Sequence, residues 1–235
     1  MPTVGYTLRL DPWAPEFEGM VQVGDDLEPA TVDVRVERPV WAAVRPKREP
    51  ITARIAFVDG VRRIERRLIV VEGDRRFFGL LGSFGVGAVS VDSAARGAVV
   101  GFVKRLLRNY LDPQAPALLP RLEVGERTPV FLIGGRDPRY SWYVRIAYGR
   151  AIESELTGVA RLEAPAARGL DEAQKLADLS ARVLPRFASD STRDPRAPQN
   201  LYPIGGLEAR LKHRLGDPAV VRHAIEAQLT SEVTA

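Results

Sequence analysis

The sequence predicts a mixed α/β domain whose strands come first and whose helices come last. Three observations carry this. Strand-like runs bounded by glycine, proline and aspartate recur from Tyr6 to Ala147. The last third instead places apolar residues at helical spacing. The chain has 235 residues, 45% hydrophobic and 27% charged, enough to bury a core without staples. Several strands followed by helices make an α/β or α+β architecture. There is no cysteine, which excludes disulfides, thiol catalysis and sulfur-ligated zinc, and fits a reducing cytoplasm.

Residues 1–50 read as an extended, proline-punctuated, β-rich extension. Tyr6–Leu10 alternates like a strand, and Thr31–Val36 alternates apolar and polar as a half-buried strand should. Pro46, Lys47, Arg48 and Pro50 form a basic, breaker-rich joint, so the boundary is placed there and residues 51–235 form the main domain. Ile55–Val58 is an apolar run that ends in Asp59-Gly60, and Arg67–Val71 is a second. Phe77–Val91 makes a third strand, where Gly79, Gly82, Gly85 and Gly87 imply bends or close backbone approach. Ala98–Val103 is a fourth and leads into Lys104-Arg105. Val130–Ile133 and Trp142–Ala147 follow, around an Arg136-Asp137-Pro138 turn.

Asp171 is placed to cap a helix carrying Ala173, Leu176, Ala177 and Leu179 on its apolar face and ending near Pro185. Leu207, Leu211 and Leu215 recur at i, i+4, i+8, and Gly216 closes that helix. Pro218 opens a third helix with Val220, Ala224 and Leu229 toward its apolar side. The longest uncharged stretch, Phe77–Val91, is too short and glycine-rich for a membrane helix. Met1–Leu10 lacks the basic patch and apolar run of a signal peptide.

Charge narrows the partners. The net charge is +4 and only four of the 34 basic residues are lysine. Arginine forks onto phosphate where lysine cannot. Between Arg45 and Arg76 ten basic residues face five acids. That excess fits a polyanion such as nucleic acid, or a solvated arginine-rich face. Asp59 has two readings as well. A carboxylate at the end of a buried β run is nearly fixed in space and can hold Mg²⁺ or Mn²⁺, with Gly60 admitting a metal or phosphate. The other reading is an ordinary Asp-Gly turn. No Gly-x-x-x-x-Gly-Lys-Ser/Thr loop and no Gly-x-Ser-x-Gly elbow is present. His213 and His223 are too few for a multi-histidine zinc site.

Five segments resemble those of the NurA nucleases, across about residues 51–217. Ala56-Phe57-Val58-Asp59-Gly60 resembles the first strand of that family, whose aspartate binds the catalytic metal. Val99-Val100-Gly101-Phe102-Val103-Lys104-Arg105 resembles its "VVG-x-VKR" strand. Tyr140–Arg145 and Gly158–Glu163 resemble its paired "WYVR" and "RLE" strands, and Pro198–Pro203 running into Leu207–His213 resembles its closing segment. The resemblance implies an RNase H-like mixed sheet flanked by helices. It implies a Mn²⁺- or Mg²⁺-dependent DNA nuclease, homodimeric, trimming 5′ ends at double-strand breaks with a HerA hexameric ATPase. Asp59 would be the shared metal ligand, with Lys104 near the scissile phosphate. Arg62, Arg63, Lys104, Arg105, Arg145 and Arg161 are the candidate DNA contacts, with ion pairs inside the sheet as the other role for Arg145 and Arg161. Trp142 and Tyr143 could stack bases or form core.

Two departures bear on the site. The family's helix with a metal-binding glutamate has no room between Val91-Asp92 and Ala98-Val99. Asp92 is the candidate replacement for a second aspartate, and nothing clearly replaces the glutamate. In the closing segment, His213 is the candidate third ligand. Glu208 lies five residues before it, about 140° away around a helix, so the two do not act together. A chain keeping the fold and the ATPase-docking surface without catalysis, as a DNA-binding or adaptor subunit, is the second functional reading.

Overall fold

In the computed structural model the described residues are 7–11, 31–52, 54–90, 98–103, 110, 117–150, 153–190 and 197–232. Their strands are β1 (Thr7–Leu10), β2 (Val32–Asp33), β3 (Ala56–Glu72), β4 (Arg75–Ser90), β5 (Gly101–Val103), β6 (Phe131–Ile133), β7 (Arg139–Arg145) and β8 (Val159–Pro165). The helices are α1 (Leu170–Val183), α2 (Tyr202–Arg214) and α3 (Pro218–Glu232). The fold is mixed α/β with two antiparallel sheets. None of the described helices is long and apolar enough to cross a membrane. The chain divides into two compact units, one drawn from residues 1–25, 57–89 and 206–235, the other from 26–56 and 90–205. The Pro46–Pro50 joint lies within the second of these.

The first unit holds a sheet in the order β1-β3-β4. β1 runs antiparallel to the end of β3, from Thr7 opposite Val71 to Leu10 opposite Leu68. β3 turns into β4 through Gly73-Asp74 alone, and Gly73 has φ of 57°, the left-handed region such tight loops require. Along β4 from Gly82, exposure alternates residue by residue, with Ser83, Gly85, Gly87 and Val89 inward. Those small residues let α2 lie close: a Cβ on Gly87 would come 3.0 Å from Leu207 Cδ1 and 3.2 Å from Leu211 Cδ2. Val61, Leu207 and Leu211 form the core there, with Val89 and Leu215 against them. The i, i+4, i+8 leucines therefore do what their spacing predicts.

α3 differs from its expectation. Leu229 is half-buried as expected, but Val220 and Ala224 are exposed, and Val221, Arg222, Ile225 and Glu226 are half-buried in their place. The face is rotated because Glu226 accepts from Arg66, and Arg222 lies 3.9 Å from Glu65. Asp217 Oδ1 accepts from the Ala219 and Val220 amides and caps the helix.

The second unit holds a sheet in the order β2-β6-β7-β8-β5. β7 and β8 share seven paired positions, from Arg139 opposite Pro165 to Arg145 opposite Val159. α1 packs on β7, where Trp142 Nε1 donates to Ser180 Oγ at 2.9 Å, and Ala173, Ala177 and Ala181 allow the close approach. Leu119, Leu122, Phe131, Ile133, Tyr143 and Val159 form a core cluster. Three expectations change here. Thr31–Val36 keeps its alternating exposure but pairs only over Val32–Asp33, because Asp33 Oδ1 accepts from the Arg35 amide and turns the chain. The fourth β run pairs only over Gly101–Val103. Asp171 lies in the first turn of α1, where a carboxylate favours the helix dipole, and Gly169 with φ of 84° is the cap.

Candidate functional site

Asp59 lies inside β3. The strand does not end at Asp59-Gly60, because the inward alternation of Phe57 and Val61 continues to Glu65 and the chain stays paired. Asp59 is half-buried on the same strand face as Val61 and Arg63. Gly60 meets the Gly85 carbonyl of β4 at an ordinary 3.5 Å for an added Cβ. Arg62 is exposed on the opposite face. Arg63 is committed to structure: Nε donates to Glu65 at 2.8 Å, and Nη1 and Nη2 donate to the Gly216 and Leu215 carbonyls at the end of α2.

Glu65 is 1% exposed and is the residue that sequence reasoning passed over. Burial pushes its pKa up, but hydrogen bonds from Ser83 and Arg63 and the charges of Arg63 and Arg222 outweigh that and hold the carboxyl below its ordinary range. It ties β3 to β4 and α3. Its only sequence signal is an acid at an inward position of an alternating run.

His213 is exposed in the last turn of α2. It is two positions, or about 200°, from the inward Leu211, so it points away from the sheet that carries Asp59. Glu208 is nearer the inward face and pairs with Lys212 at 2.8 Å. Asp92, Lys104 and Arg105 lie outside the described residues. Among the described residues no three His, Asp or Glu side chains converge to hold a metal ion.

In the second unit, Trp142 is fully buried and Tyr143 is 1% exposed, so both are core and neither offers a face to a base. Burial pushes the Tyr143 hydroxyl up, against the opposing charge of Arg161. Arg161 pairs with Glu163 at 3.0 Å and lies 4.5 Å from the Tyr110 ring. Arg145 is 2% exposed and donates to main-chain carbonyls. Of the arginines read as DNA contacts, Arg63, Arg145 and Arg161 are thus engaged within the fold, and Arg62 is open to solvent.

The basic run from Arg45 to Arg76 is divided between the units. In the first, Arg63, Arg66 and Arg67 pair with Glu65, Glu226 and Asp11, while Arg62, Arg75 and Arg76 are exposed. In the second, Arg45, Arg48, Arg182 and Arg186 line a cleft of about 460 Å³. Arg45 pairs with Glu123 and Glu126, and Arg182 with Glu49. Arg48 and Arg186 have no acidic partner among the described residues, which leaves the cleft able to attract phosphate. No known protein family model matches the chain, and no curated protein matches it.

Proposed function

We propose that this chain is a NurA-type, metal-dependent DNA nuclease with an RNase H-like fold, working in the cytoplasm with a HerA-type ATPase on DNA ends. The observation that carries the reading is the ordered set of five segments. The "WYVR" and "RLE" segments of that set are neighbouring strands, with Tyr143 opposite Arg161. The "VVG-x-VKR" segment contains β5, which pairs with β8 on its other side. Asp59 is the metal ligand of this reading, and the Arg48–Arg186 cleft is a surface suited to a DNA backbone. A self-pairing dimer is supported by β4, an edge strand that exposes Phe78, Phe84 and Val86.

When bound, paired divalent cations would hold the scissile phosphate and generate the hydroxide. The described residues do not by themselves fit such a pair, since Asp59 stands without two further acids or histidines beside it. No catalytic step is therefore assigned to them. The same observation favours a second reading, a DNA-binding or adaptor subunit of the ATPase complex.

The deciding experiment incubates the protein with labelled single-stranded and duplex DNA, in Mn²⁺, Mg²⁺ or chelator, beside Asp59→Ala. Nuclease activity predicts Mn²⁺-dependent cleavage that falls at least a hundredfold in Asp59→Ala, while DNA binding stays within about twofold. Cleavage retained in that variant sinks the site assignment. Binding without cleavage, with the ATPase present, selects the adaptor reading.

A further inference from the structure

A cavity of about 620 Å³ in the second unit is lined by Arg121, Arg145, Tyr148, Arg150 and Glu153, among others. Its wall is built around Arg145. The guanidinium donates to the Leu119, Pro120, Glu155 and Thr157 carbonyls, at 2.9–3.2 Å. This clamps the 3-10 turn at Leu119–Arg121 to the segment Glu155–Thr157. Gly158 lies against Ala147: an added Cβ would fall 2.0 Å from the Ala147 carbonyl oxygen.

The cavity lining is net basic, three arginines (Arg121, Arg145, Arg150) against Glu153 and the exposed Glu155. Arg145 is 2% exposed, has no carboxylate partner among the described residues, and leaves Nε buried without an acceptor. Burial pushes its pKa down, and nearby Tyr148 opposes that. A buried cation is normally paired, so an anion at this wall supplies what the protein does not. Arg121 is exposed and has no acidic partner among the described residues. Arg150 is balanced by Glu153 at 2.9 Å. Tyr148 is 64% exposed, with the Arg145 guanidinium 5.4 Å from its ring centroid on one side. An exposed aromatic ring carrying a cation on one side is a platform on which a nucleobase can stack.

We propose that this cavity is a nucleotide site. It takes a phosphate monoester joined to a planar base, with Arg121 on the phosphate, Arg145 supplying charge from the wall behind it, and Tyr148 under the base. The volume suits one nucleotide. The phosphate could belong to a free nucleotide or to the 5′ end of a DNA strand. The site stands whether or not the chain cuts DNA, because it uses no metal.

The test is therefore run in chelator, which separates it from the nuclease assay. Binding to the full chain is measured by calorimetry for a deoxynucleoside 5′-monophosphate, its unphosphorylated nucleoside and inorganic phosphate. A short single strand is measured with and without a 5′-phosphate. Arg121→Gln and Tyr148→Ala are compared with Arg168→Gln, which removes an exposed charge outside the cavity. The expected result is that the nucleotide, the phosphorylated strand or both bind at least tenfold tighter than their unphosphorylated forms. Arg121→Gln and Tyr148→Ala each weaken this about tenfold, and Arg168→Gln leaves it within twofold. Preference for the phosphorylated strand identifies a strand end, and preference for the mononucleotide identifies a free nucleotide. Three results overturn the proposal: no phosphate-dependent binding, equal loss in Arg168→Gln, or indifference to Tyr148→Ala.

Discussion

β4 and β7 are both strands rich in apolar residues, and they meet opposite fates. From Ser141 to Arg145 every residue of β7 is buried, because α1 covers one face and the Leu119–Phe131 cluster covers the other. Among the described residues β4 is covered on one face only, where Gly85 and Gly87 lie under α2. Its other face leaves Phe78 79%, Phe84 80% and Val86 69% exposed. An apolar run thus predicts a strand, whereas the cover on each face decides whether its aromatics stabilise the fold or offer a surface. The aromatic pair that the sequence suggests for binding, Trp142 and Tyr143, belongs to the core, whereas the phenylalanines of β4 are open.

The largest expected effect tests this contrast directly. Trp142→Ala should cost about 3–5 kcal/mol in denaturant unfolding, through the cavity it leaves and the lost bond to Ser180. Phe84→Ser should change monomer stability by less than about 0.5 kcal/mol. If a second copy covers β4, Phe84→Ser will also shift the mass seen by light scattering toward the monomer. A cost at Phe84 equal to that at Trp142, in a protein that scatters as a monomer, would break the comparison.

A smaller effect sharpens the covered face of β4. Gly87→Val should destabilise by about 1–3 kcal/mol, because its side chain starts where Leu207 and Leu211 already stand. Adding Leu207→Ala to that variant should recover part of the loss. Two losses that simply add would show that α2 does not press on β4 at this point.

These two strands also show what could be read in advance. The leucine spacing of α2, the hairpin around Arg136-Asp137-Pro138 and the glycine-rich close approach are local patterns, and the chain follows them. The rest depends on partners distant in sequence. Arg145 is buried because four carbonyls from two other segments converge on it, and no side-chain pattern announces a carbonyl. Arg127 is buried because Glu37 and Asp178 reach it from elsewhere; burial lowers its pKa, but those two carboxylates outweigh it and hold it up. In α3 the inward face takes Val221 and Ile225 rather than Val220 and Ala224, while Leu229 keeps its place, because two charged residues, Arg222 and Glu226, turn inward. Of the candidate metal site, Asp59 was legible as a strand residue but not as a mid-strand one, since Asp-Gly reads locally as a turn.

The finest test concerns Glu65, which marks where the first unit buries charge. Its carboxyl titrates below its ordinary 4.5 in the folded chain. A depressed carboxylate contributes stability that is fully present above the unfolded value and lost as pH falls through the folded one. Glu65→Gln removes that contribution. The stability gap between the parent and Glu65→Gln should therefore be constant from pH 7 to about 5. It should then narrow as the pH drops, with a slope no steeper than one proton allows, about 1.4 kcal/mol per pH unit. Urea unfolding at successive pH values reads this directly. A gap that stays flat down to pH 3 would mean that Glu65 acts through packing alone. β3 would then be held to α3 by shape rather than by charge, and the first unit would differ from the second only in how much apolar surface it leaves open.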